Sequence, residues 1–164
     1  MSAMKTILYA TDFSECSKAV FPLARALASE DGSHLIVLHV VPARAPKEGF
    51  RPNLEPTTAF EEDWKSYRDE MEKRLWNLKS PEDRGKVEFV LKEGDAAETI
   101  LHTANETGSD LIVMGTHGRS GEFLRLMGSV AEEVSRHAPC AVLTFRIGGK
   151  MTEPAREYLL GAAV

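Results

Sequence analysis

Five short apolar runs, at residues 6–10, 35–41, 87–91, 111–114 and 141–145, alternate along this chain with segments of helical periodicity. Such runs fit strands buried on both faces, which is the pattern of a parallel sheet and not of an antiparallel one with a wet side. The intervening segments carry apolar stripes on a 3.6-residue period. The first places Ala19, Val20, Leu23, Ala24, Leu27 and Ala28 together, with Ser14 or Asp12 as its cap and Gly32 as its stop. The second, over 59–78, carries Phe60, Trp64, Met71, Leu75 and Leu78, and its Glu–Lys and Asp–Arg neighbours read as a solvated face. Asp95 caps a third, with Ile100, Leu101 and Ala104, that stops at Gly108; the fourth runs from Ser129 to about His137. Four strand–helix units closed by a fifth strand predict a three-layer α/β/α sandwich around a five-stranded parallel sheet with right-handed crossovers.

At 164 residues the chain suits one domain. We place that domain at residues 1–147, with 148–164 as a tail in which Tyr158, Leu159 and Leu160 can form a short helix. The proline-rich, charged stretch 42–56 is the least regular interior segment. A net charge of −5 with no basic face speaks against nucleic-acid binding. The two cysteines, Cys16 and Cys140, make neither a CxxC nor a disulfide framework, and the start of the chain lacks a signal-peptide apolar region. No apolar run reaches the roughly 20 residues needed to span a bilayer. A cytoplasmic domain without membrane contact is expected.

Ligands of open parallel sheets bind beyond the carboxyl ends of the strands, where strand order reverses. Two loops look prepared for that. Ala10-Thr11-Asp12-Phe13 follows the first strand, and Met114-Gly115-Thr116-His117-Gly118 follows the fourth, with Gly128-Ser129 opening the next helix. Glycines at 115, 118 and 128 let backbone N–H groups approach a ligand and adopt positive φ. A helix starting at Ser129 aims unsatisfied N–H groups and about half a positive charge at that loop, which suits phosphate. Asp12 can accept hydrogen bonds from a ribose or an adenine amino group, or merely cap a helix. His117, Arg119 and Arg125 can donate to phosphate oxygens or stand as solvated surface groups. Ser129 can offer its hydroxyl to phosphate or to a magnesium ion held by phosphates, or serve as an N-cap. Cys16 is either a thiol with a lowered pKa at a helix start or a small core filler. The remaining histidines, His34, His39, His102 and His137, have no metal-ligand spacing. The GxxxxGK[ST], GxGxxG and GxSxG patterns are absent where they would be needed, which disfavours P-loop, dinucleotide-binding and α/β-hydrolase chemistry.

Gly115-x2-Gly118-x9-Gly128-Ser129 resembles the G-2x-G-9x-G-[S/T] nucleotide signature of the universal stress protein family. The surrounding Gly115 to Gly121, Gly128 to Val134 and His137 to Cys140 resemble that family too, as do Ile7 to Ser14 and Leu38 to Pro42; the likeness spans about residues 4 to 146. The resemblance implies a Rossmann-like sheet of order 3-2-1-4-5, akin to the adenine nucleotide alpha hydrolases, and homodimers paired through the last strand. It implies ATP (or ADP or AMP) as ligand, with Mg2+ or Mn2+ carried by the nucleotide. Asp12 and the backbone of Val40 or Val41 fall at the adenine end, and Ala10, Thr11 and Met114 are further cofactor-binding candidates. Gly115 falls near the ribose, and Gly118, Gly128, Ser129 and Val130 around the phosphates. The expected role is a nucleotide-dependent regulatory module in stress response. The alternatives are a slow ATPase or adenylyl-transfer enzyme, for which no convincing base is identifiable, and an interaction domain with an empty pocket. The SGGxDS loop of related ATP-cleaving enzymes is replaced here by Ala10-Thr11-Asp12-Phe13-Ser14.

Overall fold

The expected alternation is realised as β1 (Thr6–Ala10), α1 (Glu15–Asp31), β2 (His34–Val41), α2 (Thr58–Trp76), β3 (Val87–Glu93), α3 (Ala96–Thr107), β4 (Leu111–Gly115), α4 (Ser129–His137) and β5 (Ala141–Phe145). This is a computed structural model that describes residues 4–43, 58–83, 86–116 and 127–146, with the backbone alone at 31 and 58–61. Most of the 42–56 stretch and the whole 148–164 tail lie outside the described residues. The strands form one parallel sheet of order β3-β2-β1-β4-β5. Strand order therefore reverses between β1 and β4, and Ala10, the last residue of β1, pairs with Leu38 on one side and Met114 on the other.

Strand alternation divides the core in two. Ile7, Tyr9, Leu35, Val37, Val41, Leu111 and Val113 meet Val20, Ala24 and Ala28 of α1 and Met71 and Leu75 of α2. Leu8, Ala10, Ile36, Leu38, Ile112 and Met114 meet Ala97, Ile100 and Ala104 of α3 and Ala131 and Val134 of α4. Each fully buried aliphatic side chain contributes about 1.5–3 kcal/mol, so burial on both faces is what makes uninterrupted apolar strands stable here.

Several boundaries differ from the periodicity. β3 extends to Glu93 and β4 to Gly115, because ladder pairs such as Val41 with Glu93 and Gly115 with Phe145 continue past the apolar residues. α2 ends at Trp76, and the Leu78 N–H turns back onto Leu75 at 3.1 Å. Ala19 is exposed, not part of the buried stripe; Cys16 and Ser17 occupy the buried first turn instead. Phe60 belongs to the stretch with backbone alone. Arg25 of α1 donates to the Leu78 carbonyl at 2.6 Å and the Asp83 carboxylate at 2.8 Å, fastening the segment after α2 to α1.

Candidate functional site

A cavity of about 450 Å³ lies over the carboxyl ends of β1, β2 and β4, on the α3/α4 face. That size is within the range of small-molecule sites, about 300–1,000 Å³. Its apolar part is Leu38, Val40, Pro42, Ile100 and Met114; its polar part is Thr11, Asp12, Ser17, Asp95, Thr116 and Ser129. An apolar lining with a few polar groups suits a small organic molecule oriented by hydrogen bonds. No group of three His, Cys, Asp or Glu among the described residues is placed to hold a metal ion.

The β1–α1 turn is built from short-range bonds. The Thr11 N–H continues the ladder to the Leu38 carbonyl at 2.9 Å. Thr11 Oγ1 accepts from the Phe13 N–H at 3.1 Å, and Asp12 Oδ1 accepts from the Ser14 N–H at 3.0 Å. Ser14, and not Asp12, is the N-cap of α1, accepting from the Ser17 N–H. Phe13 has φ 61; a bulky side chain in the left-handed region costs roughly 1–3 kcal/mol and persists only where surroundings enforce it. Below the turn, the buried Tyr9 hydroxyl donates to the Ser17 carbonyl at 2.8 Å. Burial, with the Asp12 charge acting in the same direction, pushes the Tyr9 pKa up to about 12. The folded value exceeds the ordinary value near 10, so the stability it contributes is complete below pH 10 and lost as pH rises through 12. Denaturant titrations from pH 9 to 12 are expected to show a loss of about 2–3 kcal/mol that is absent in Tyr9→Phe.

The β4–α4 side is closed by two backbone bonds. Thr116 N–H donates to the Phe145 carbonyl at 2.8 Å, and Gly128 N–H donates to the Thr116 carbonyl at 2.6 Å. Gly128 is the N-cap of α4 with φ −72, and Ser129 is the first helical residue. Neither Gly115 nor Gly128 adopts positive φ, and the Gly128 N–H is engaged in closing the loop. These are corrections to the expectation of left-handed glycines with free amides. Gly115 is small for another reason: a Cβ there would lie 3.0 Å from the Ser17 nitrogen and 3.1 Å from the Cys16 carbonyl carbon. Cys16 itself is a buried filler whose thiol donates to the Phe145 carbonyl at 2.9 Å. Gly128 offers α4 no side-chain acceptor, whereas Ser14 caps α1 and Asp95 caps α3. The first-turn residues Ser129, Val130 and Ala131 all line the cavity.

Of the residues singled out by sequence, Ala10, Thr11, Asp12, Val40, Met114, Gly115, Gly128, Ser129 and Val130 line this one cavity. Val41 does not; its side chain is fully buried in the α1/α2 core and its carbonyl accepts from the Gly94 N–H at 3.0 Å. His117, Gly118, Arg119 and Arg125 lie outside the described residues. The sequence reading missed Gly94, Asp95 and Ala96, which bring the β3–α3 turn to the rim, and Ser17 and Ile100. The helix cap Asp95 following Gly94 was a visible signal of a turn there, but nothing local says that the turn reaches β1.

Fold and cleft together define an open parallel α/β domain with a cavity at its topological switch point. The universal stress protein family matches residues 4–146. Universal stress protein MJ0577 of Methanocaldococcus jannaschii is 32% identical over 161 residues, covering 89% of this chain and 98% of that protein. Its solved structure aligns with a TM-score of 0.77 at 29% identity, over 91% of this chain and all of that one. A universal stress protein of Thermus aquaticus is 34% identical over 142 residues, 87% of this chain and 98% of its own length. A universal stress protein solved in complex with cAMP shares the fold, with a TM-score of 0.54 at 23% identity over 88% of this chain and 98% of that one. The chain belongs to the universal stress protein family.

Proposed function

We propose that this chain binds an adenine nucleotide, ATP with Mg2+ or Mn2+, and works as a nucleotide-dependent regulatory module and not as an enzyme. The observation that carries the reading is the α4 N-terminus: its cap residue Gly128 has no side chain to satisfy the first-turn N–H groups, and that turn lines a cavity that apolar side chains line as well. Unsatisfied N–H groups and the helix dipole favour an anion there, and Leu38, Val40, Pro42 and Ile100 suit the face of a base. Asp12, just past the carboxyl end of β1, is set to accept from ribose hydroxyls or the adenine amino group. The Ser129 hydroxyl is the cavity group suited to the metal ion, whose part would be to neutralise phosphate charge. The family signature across Gly115, Gly118, Gly128 and Ser129 supports the same assignment.

Homodimer pairing through β5 is part of the proposal. β5 is an edge strand with Val142, Leu143 and Phe145 only partly buried, an edge suited to a second copy. A net charge of −5 favours partners other than nucleic acid. No helix among the described residues is long and apolar enough to cross a membrane, and we assign the protein to the cytoplasm on its cysteine usage.

Mass analysis of nucleotide released from the denatured, purified protein tests the ligand directly. At ATP 100 times Kd, folding should gain about 2.7 kcal/mol, raising Tm by about 5–11 °C for a domain of this size. Absence of both the nucleotide and the shift would overturn the binding reading. Phosphate release faster than about one per second would overturn the non-enzymatic one.

A further inference from the structure

The turn carrying Asp12 is clamped by groups that do not reach the cavity. His39 of β2 is 1% exposed and shares a strand face with Leu35, Val37 and Val41 by alternation. Its Nδ1 lies 2.6 Å from the Thr11 carbonyl; a carbonyl only accepts, so Nδ1 carries the proton and donates. Its ring meets the ring of Phe13 at 4.5 Å between centroids, and Phe13 is itself buried at φ 61. Asp12 sits between the two held residues. The residue before it is bonded to His39 through the carbonyl, and the residue after it is anchored by the ring contact. Left to itself, a phenylalanine moves out of the left-handed region, and that rotation would swing Asp12 away from the cavity it lines.

We propose that His39 is a positioning residue for the ligand: with Phe13 as its aromatic partner, it holds the strained β1–α1 turn so that Asp12 meets the nucleotide in a ready-made geometry. This rests on the nucleotide reading given above. The cost of losing the clamp follows from populations. A site competent one-tenth of the time binds about tenfold more weakly. The affected quantity is thus affinity through Asp12, and not merely the packing of β2.

The paired substitutions His39→Asn and His39→Gln separate these roles. The asparagine amide nitrogen is the same number of bonds from the backbone as Nδ1 and can donate to Thr11, whereas the glutamine amide falls where Nε2 was. By calorimetric titration with Mg-ATP, H39Q, which loses both the Thr11 bond and the ring contact, is expected to weaken binding about tenfold or more, and H39N, which loses the ring contact alone, to weaken it clearly less. In an Asp12→Ala background, H39Q should cost less than about twofold further, because the group it positions is gone. Parent-like affinity in H39Q, or independent additive losses in the double variant, would overturn the proposal.

Amide hydrogen exchange on the ligand-free protein decides the same point without nucleotide. The Phe13 and Ser14 amides should exchange about tenfold faster in H39Q and less so in H39N, with β2 amides unchanged; equal protection in both overturns the proposal. If the parent protein binds no Mg-ATP, the nucleotide reading fails while this exchange result still decides the clamp. Should H39Q not fold, Phe13→Leu takes its place, and unaltered affinity and exchange in that variant overturn the proposal.

Discussion

Gly115→Val is expected to destabilise the domain by about 1–3 kcal/mol, or more if the strand and helix cannot separate, and to abolish stabilisation by Mg-ATP. The first added carbon would already lie 3.0 Å from the Ser17 nitrogen and 3.1 Å from both the Cys16 carbonyl carbon and its sulfur. Two of those three atoms are backbone in the first turn of α1, so no flexible side chain can yield; α1 or β4 has to move. That displacement reaches the cavity proposed for the ligand directly, because Ser17 and Gly115 both line it. It also disturbs β5, since the Cys16 thiol and the Thr116 N–H share the Phe145 carbonyl as acceptor. Urea titration should report a lower midpoint with unchanged slope, and Gly115→Ala should show a smaller loss of the same kind. A valine variant as stable as the parent would mean that the close approach of α1 to β4 does not exist. A destabilised variant that keeps its ATP-dependent shift would mean that the nucleotide lies elsewhere.

Ser129→Asp should act with opposite signs on stability and binding. A carboxylate in the first turn of α4 complements the helix dipole, a gain of about 0.3–1 kcal/mol at low salt. The same carboxylate would stand where the proposed triphosphate is received. Two like charges about 4 Å apart at an effective dielectric near 20 repel by about 4 kcal/mol, which corresponds to roughly three powers of ten in affinity. The side chain can rotate away and Mg2+ neutralises part of the charge, so a loss of about a hundredfold is the expected measurement. Ser129→Ala, which removes only the hydroxyl, should lose about tenfold or less. Thermal unfolding without nucleotide and calorimetric titration with it would read the two signs separately. Unchanged affinity in Ser129→Asp would rule out phosphate at the α4 N-terminus, whatever the rest of the cavity holds.

The two helices flanking the cavity show how far local reasoning reaches. Asp95 was legible as the cap of α3, and it does accept from the Glu98 N–H at 3.0 Å. That Asp95 also stands at the cavity rim was not legible, because its neighbours there come from β1, β2 and α4. Gly128-Ser129 was legible as a helix start. Gly128 occupies the cap because its backbone is extended while its carbonyl accepts from the Glu132 N–H at 2.9 Å, and its own N–H is held by the Thr116 carbonyl. Val40 and Val41 differ in the same way: adjacent, equally apolar residues that alternation sends to opposite faces, of which only Val40 meets the cavity.

The amino-acid sequence by itself determined the class of architecture. A run such as Leu35-Ile36-Val37-Leu38 is stable only with both faces covered, and caps and stops such as Ser14, Gly32, Asp95 and Gly108 act within a few residues of themselves. Tertiary structure alone decided which loops meet at the switch point, why a Cβ at residue 115 would be crowded, and that a histidine inside an apolar strand bonds a turn 28 residues away in the chain. Periodicity records the average surroundings of a residue along its own element. The identity of a through-space partner depends on strand order and register, which are set by the packing of the whole sheet.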